Sequence, residues 1–196
     1  MSKVSEIAAL LLAAGRSTRM RGLNKLTAEV GGRPLLLRAA AAALASRARP
    51  VVAVVGHQAE AVREVLQGLE LTVVDNPHHA AGLSSSLKAG LRALPGTCDG
   101  VVILLGDMPH ITADHIDRLI AAFVPGAIVV PMHRGKRGNP VLWPAALLGE
   151  MLQLEGDVGA KRLIGAHADR VRDVDLGSDA IFTDVDTPEA LRLLRR

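Results

Sequence analysis

The stretch Ile7–Lys25, IAALLLAAGRSTRMRGLNK, passes from an apolar run into a loop of small and cationic residues. The run Ile7–Leu12 is too short for a membrane span and leads straight into Ala13-Ala14-Gly15. It therefore predicts a buried first strand rather than a signal peptide. An uninterrupted apolar strand is buried on both faces, as in a parallel sheet covered by helices. Beyond it, the small residues Ala13, Ala14 and Gly15 let backbone N–H groups approach a ligand. Arg16, Arg19, Arg21 and Lys25 follow at a spacing that can wrap a polyphosphate. The loop is neither GxGxxG nor GxxxxGK[ST], so a dinucleotide fold or a Walker-type ATPase gains no support from it. On composition alone, a solvated surface loop and a phosphate site are both open.

Working outward, short Val/Ile/Leu-rich runs alternate with helical patterns, which predicts an α/β fold with a mostly parallel central sheet. Further strands are expected at Val51–Val55, Leu71–Val74, Gly100–Leu105 and Ala127–Val130. Helices are expected at Pro34–Ser46, Gln58–Gln67, Ser84–Leu94 and Thr112–Phe123. Thr112 reads as an N-cap and Pro34 as a first helical residue. After Val130 the alternation loosens. Gly138–Trp143 reads as a strand, Pro144–Gln153 and Val158–Ala166 as helices, and Val171–Val174 and Ala180–Thr183 as edge strands. Thr187–Leu194 closes the chain as a helix capped at Thr187, with Pro188 first. No linker or repeat divides residues 1–196, so one domain is expected.

Nearly half of the 196 residues are apolar, which excludes general disorder. Trp143, Phe123 and Phe182 are the whole aromatic complement, so Ala, Val, Leu and Ile must build the core. That scarcity argues against base-stacking platforms, and nucleic acid is not an expected partner. Neither is a membrane. The lone Cys98 excludes a disulfide framework and a Cys-rich zinc site, and a cytoplasmic location is expected. The seven histidines show no metal-ligand spacing and read as surface or loop residues. The formal charge is +3. Arg192, Arg195 and Arg196 suit a helix C-terminus. The loop clusters around Arg16 and around Arg134-Lys136-Arg137 suit an anion.

Five short motifs then occur in order: Leu12–Lys25 with its LAAGRSTRM and NK, Asn76-Pro77 leading to Gly82–Ser86, Gly106-Asp107-Met108-Pro109, Gly138-Asn139-Pro140-Val141, and Asp184–Glu189. Together they resemble the MobA-like NTP transferases, most closely the MocA-like molybdenum cofactor cytidylyltransferases, over nearly the whole chain. The resemblance implies a three-layer, Rossmann-like fold of the nucleotide-diphospho-sugar transferase type. It implies transfer of CMP from CTP to molybdopterin-bound molybdenum, with release of pyrophosphate, and use of Mg²⁺. A recipient molybdoenzyme or its chaperone is an expected partner. One departure stands at Arg21, where the family usually has glycine and where glycine follows here as Gly22.

Such chemistry needs no strong base, because a phosphate oxygen is already an ionised nucleophile. The work is positioning and charge stabilisation. Arg19, Lys25 and Asp107 are the expected catalytic residues. Leu12, Ala13, Ala14, Gly15, Arg16, Lys25, Asn76, Ser84 and Asp107 are expected at the nucleotide. Asp107 follows a strand and is an expected Mg²⁺ ligand, although it can equally cap the next loop. In an extended Asp184-Val185-Asp186 both carboxylates share one face. By resemblance Asp186 is the second ligand, with Asp184 its alternative. Two carboxylates with phosphate oxygens suit Mg²⁺. Lys136, Arg137 and Asn139 resemble the residues facing the acceptor, although an exposed basic hairpin fits them too. The resemblance implies that Ala13-Ala14-Gly15, rather than the Ala-Gly-Gly of guanylyl-transferring relatives, goes with cytosine. GTP, a sugar-phosphate acceptor, a flavin or nicotinamide oxidoreductase on this scaffold, and a catalytically silent cofactor carrier are the rival readings.

Overall fold

The computed structural model describes residues 5–20, 22–157 and 159–194. In chain order these form β1 (Ile7–Ala13), β2 (Glu29–Val30), β3 (Arg33–Pro34), α1 (Leu35–Ala45), β4 (Val51–Val55), α2 (Ala59–Leu66), β5 (Thr72–Asp75), α3 (Leu83–Ala93), β6 (Gly100–Leu105), α4 (Ala113–Ala122), β7 (Ile128–His133), β8 (Lys136–Arg137), β9 (Val141–Pro144), α5 (Leu148–Met151), α6 (Lys161–Ala166), β10 (Val171–Asp175) and α7 (Pro188–Leu194). The main sheet runs β10-β7-β9-β6-β1-β4-β5, with β8 paired to the end of β7. Strands β1, β4, β5 and β6 are parallel, and β9 runs against both β6 and β7. A two-stranded hairpin, β2 with β3, stands apart.

Alternation along β1 sorts its side chains between two cores, as a period of two requires. Ala9, Leu11 and Ala13 pack with residues of α1, α2 and α4, while Ala8, Leu10 and Leu12 pack with residues of α3, α5 and α6. The sheet is therefore the middle of three layers. Trp143 is fully buried, but the bulk of both cores is aliphatic. Each fully buried Leu, Ile or Val there contributes about 1.5–3 kcal/mol of hydrophobic stabilisation. Among the described residues no helix is long and apolar enough to cross a membrane.

From β1 the chain moves through α1 to β4 on one side, then returns through β5 and α3 to β6 on the other. The chain thus leaves β1 toward β4 and leaves β6 toward β7, and open α/β sheets bind ligands where the direction of travel reverses in this way. Gly106 N–H donates to the Leu12 carbonyl at 3.0 Å and fixes the two strand ends side by side.

Several expectations shift. Pro34 belongs to β3 and caps α1 instead of opening it. The reason is the unforeseen hairpin, whose turn residues Gly31 and Gly32 have φ of 58° and 73°. Pro144–Gln153 is not one helix but a 3-10 turn, Ala145–Leu147, followed by the short α5. Ala180–Thr183 is not an edge strand. Asp179–Phe182 forms a 3-10 turn, because the Ser178 hydroxyl accepts the Ala180 N–H while Ala180 and Ile181 turn into the core. The helix expected from Val158 begins at Lys161, and Val158 itself lies outside the described residues, as do Arg21, Arg195 and Arg196. Thr187 does cap α7, its hydroxyl accepting the Ala190 N–H at 3.1 Å.

Candidate active site

The loop after β1 is shaped by hydrogen bonds to its own backbone. Ser17 adopts φ of 50°, a conformation uncommon outside glycine. Its carbonyl accepts from Met20 N–H at 2.8 Å and its hydroxyl from Lys25 N–H at 3.3 Å. Asn24 is buried, and its Oδ1 accepts the Leu26 N–H at 3.0 Å, an Asx turn. Met20 and Leu26 anchor the loop in apolar surroundings. The loop is thereby folded back so that Lys25 projects over the end of β6.

There it meets the carboxylates. Asp107 follows β6, and its carbonyl accepts the Val185 N–H at 3.0 Å. Val185 is buried, so Asp184 and Asp186 turn to the opposite side, as their spacing predicts. Asp107, Asp184 and Asp186 each offer an oxygen within 4.8 Å of the others. Lys25 Nζ lies 2.5 Å from Asp107 Oδ2 and 2.6 Å from Asp186 Oδ1, while Arg19 Nη2 lies 2.5 Å from Asp186 Oδ2.

Burial, followed by the charges of Asp186 and Asp107, raises the pKa of Asp184 above the usual carboxylate range. Burial pushes Asp186 the same way, but hydrogen bonding and charge from Lys25, helped by Arg19, hold it below that range. For Lys25, burial favours the neutral amine, yet Asp107 and then Asp186 outweigh it and raise the ammonium's pKa. One atom is left over: Asp107 Oδ1 is buried without a hydrogen-bond partner. Buried polar atoms are rarely left so. A crowded carboxylate set with one free, buried oxygen fits a hard divalent cation that prefers oxygen ligands. Asp107, Asp184 and Asp186 are the residues that can hold it.

The cluster closes one end of a cleft of about 460 Å³. Leu12, Ala14, Gly15, Arg16, Lys25, Asp107 and Asp186, all expected at the site, line it together with Asp184. Ala13 does not line the cleft; its side chain packs in the core under α1, α2 and α4. Arg19 reaches Asp186 from the solvent side.

Asn76 and Ser84, expected at base or ribose, stand behind the cleft wall. Asn76 Nδ2 donates to Ser85 Oγ at 2.8 Å and Ser86 Oγ at 3.0 Å, and its Oδ1 accepts the His78 N–H at 3.0 Å. The amide is occupied in holding the turn, and Ser86 is the residue it presents to the cleft. Lys136 is exposed on β8 and lines none of the cavities. Arg137 is held by Asp173, with Nε and Nη2 donating at 2.7 and 2.9 Å. Asn139 does face a cavity, which it shares with Asp184.

Other contributors were not foreseen. His79 lines the cleft, and Asp157 lines it from a distant loop, its Oδ1 accepting the Leu83 N–H at 3.2 Å. That loop presses on Gly82, whose φ is +100°; a Cβ there would lie 2.6 Å from the Gly156 carbonyl carbon. Gly82 in the second motif was the available signal, but nothing local announces its partner.

The model of the MobA-like NTP transferase domain matches residues 9–171. The chain belongs to that family. The crystal structure of the Mycobacterium tuberculosis Rv0371c homologue from Mycobacterium sp. strain JC1 is 33% identical. It superposes with a TM-score of 0.85 over 96% of this chain and 94% of that one. Rv0371c from M. tuberculosis in complex with manganese is 25% identical, with a TM-score of 0.81 and 98% of each chain covered. The Bifunctional protein GlmU of Pelobacter propionicus is 36% identical over 138 residues, 70% of this chain, but the match spans only 30% of that protein. Among solved structures the MobA-like chain shares the Rossmann-like architecture of nucleotide-diphospho-sugar-type nucleotidyltransferases.

Proposed function

We propose that this MobA-like chain is a nucleotidyltransferase that moves CMP from CTP to the phosphate of molybdopterin-bound molybdenum cofactor, releasing pyrophosphate. The observation that carries the reading is the meeting of Lys25 with Asp107 and Asp186 at the switch point of the sheet. A phosphate-binding cation and a carboxylate set that fits a divalent ion occupy one end of a nucleotide-sized cleft. Bound there, a divalent ion such as Mg²⁺ supplies charge neutralisation and orientation for the phosphates.

The chain's own residues account for the rest. The backbone of Ala14 and Gly15, next to Arg16, receives the triphosphate, and Lys25 neutralises charge on the α-phosphate and departing pyrophosphate. Arg19 steadies Asp186. The acceptor phosphate is already ionised, and the absence of a triad among the residues lining the cleft is consistent with this chemistry. Specificity for cytosine rests on the family resemblance of Ala13-Ala14-Gly15, and the recipient of the product would be a molybdoenzyme or its chaperone.

A second reading keeps the nucleotide chemistry and makes the acceptor a sugar phosphate, a rival the match to part of GlmU keeps open. One assay separates them. Pyrophosphate release is measured with each of the four NTPs, Mg²⁺, and either loaded molybdopterin or an aldose 1-phosphate. CTP with molybdopterin should dominate. Release only with the sugar phosphate supports the second reading, and no release with any pair overturns both.

A further inference from the structure

Lys25 Nζ bridges two carboxylates, taking Asp107 Oδ2 at 2.5 Å and Asp186 Oδ1 at 2.6 Å. Arg19 Nη2 takes the other oxygen of Asp186 at 2.5 Å. The other oxygen of Asp107, Oδ1, is buried without a partner. A divalent ion held by Asp107, Asp184 and Asp186 draws on this same set, whose oxygens lie within 4.8 Å of one another. Two of those three carboxylates are already turned to the ammonium.

The wedge between Asp107 and Asp186 does not suit both cations at once. The side chains of Lys25 and Asp107 are 13% and 14% exposed, so water screens little between an ammonium and a divalent ion placed there. Lys25 is also built to let go. Its backbone is pinned, with the N–H donating to Ser17 Oγ at 3.3 Å and the carbonyl accepting the Ala28 N–H at 3.3 Å. Its head, on a flexible four-carbon stem, lines the cleft together with Gly15 and Arg16 and can turn toward anionic oxygens there.

We infer that Lys25 and a divalent ion exchange places on Asp107 and Asp186, so that the site takes metal and triphosphate together in preference to either alone. Metal by itself must displace the ammonium with nothing to receive it. A triphosphate by itself must draw Lys25 away and leave Asp107 half-buried and unpaired, which is costly. Arriving together, each removes the other's obstacle, and by linkage each raises the other's affinity by the same factor. The destination of Lys25 rests on the nucleotidyl-transfer reading; its exchange on the carboxylates does not.

Binding of Mn²⁺ alone, followed by the electron paramagnetic resonance of the free ion, is compared in intact wild type, Lys25→Met and Arg16→Gln. Lys25→Met should tighten Mn²⁺ about tenfold or more, the worth of a charge-assisted bond that no longer has to be broken. Arg16 is an exposed cation of the same cleft with no carboxylate partner among the described residues, and Arg16→Gln should change the affinity less than about twofold. A CTP analogue with a methylene bridge between its α- and β-phosphates should bind wild type more tightly with Mg²⁺ than with EDTA, by a ratio that shrinks in Lys25→Met. A crystal structure of wild type with Mn²⁺ needs no variant, and it should place Lys25 Nζ beyond hydrogen-bond distance of Asp107 Oδ2 and Asp186 Oδ1. Equal Mn²⁺ affinity in wild type and Lys25→Met overturns the exchange. So does Mn²⁺ on the cluster with Lys25 still on both oxygens, or no Mn²⁺ on the cluster at all. Failure of wild type to bind the analogue with Mg²⁺, while the Mn²⁺ results hold, overturns the nucleotidyl-transfer reading instead.

Discussion

Lys25 Nζ and Asp186 Oδ1 lie 2.6 Å apart although 161 positions separate them in the chain. The loop cation is thus the counterion of the acidic cluster as well as its neighbour, and both roles enter any experiment on it.

The side chain of Lys25 is 13% exposed, so its removal reaches folding as well as chemistry. Lys25→Ala leaves Asp107, at 14% exposure, without its partner. Breaking such a pair from one side should cost about 1–3 kcal/mol, below the figure for full burial because some solvent remains. Urea unfolding measures this. Turnover should fall by about 100-fold or more, as when one transition-state donor is lost.

Divalent metal should stabilise the wild-type protein. At about 100 times the dissociation constant the gain is roughly 2.7 kcal/mol, read as a rise in Tm that EDTA reverses. Asp107→Asn should abolish the shift with Mn²⁺ or Mg²⁺ while the far-UV spectrum stays native. A full shift in the variant would return Asp107 to the role of a loop cap.

Asp184 gives the opposite sign without metal. Its folded pKa is raised, so the folded state resists its ionisation, and stability from this group falls as pH rises from the unfolded value through the folded one. Asp184 is exposed, so solvent screens the effect, and Asp184→Asn should raise the metal-free Tm only slightly at neutral pH and shrink the gain from added metal. A lower metal-free Tm would count against like-charge crowding.

The α4 cap carries a pH dependence of its own. Thr112 Oγ1 accepts the His115 N–H, and His115 Nδ1 accepts the Thr112 N–H, both at 3.3 Å. The accepting ring is neutral and carries its proton on Nε2. Burial lowers the His115 pKa, and Arg118 adds to this against the opposing Asp114. The cap is thus intact above the unfolded pKa near 6.5 and is lost as pH falls through the folded one. Between pH 7.5 and 5, His115→Gln should flatten this part of the stability profile. Thr112→Ala should cost about 1 kcal/mol at pH 7.5.

How much was legible beforehand depended on the range of each cause. The strand Ile7–Leu12 and the position of Asp107 follow from local apolarity and from where strands end, and both stand. The shared face of Asp184 and Asp186 follows from a two-residue period. Gly31-Gly32 was a readable hairpin signal that the helix pattern of Pro34–Ser46 overshadowed. Ala180–Thr183 has strand-like composition, yet the Ser178 cap and core burial of Ile181 bend it into a turn. Asn76 carried a polar side chain in a loop, which reads as ligand contact. Only its three neighbours show that the amide is already spent. The approach of Gly156 to Gly82 joins distant loops, and periodicity is blind to such contacts.

The small apolar cluster of Met20, Val30, Leu35, Val185 and Leu191 joins the first loop, the hairpin and α7 outside the two main cores. It packs the anchor of the cationic loop, Met20, against the residue between Asp184 and Asp186. Cationic loop and carboxylate pair are therefore one cooperative unit, able to loosen together while the sheet stays folded. Amide hydrogens of residues 17–20, 22–26, 184–187 and 189–191 should exchange on a common timescale, faster than β1 and β6, and a ligand that quiets either set should quiet both.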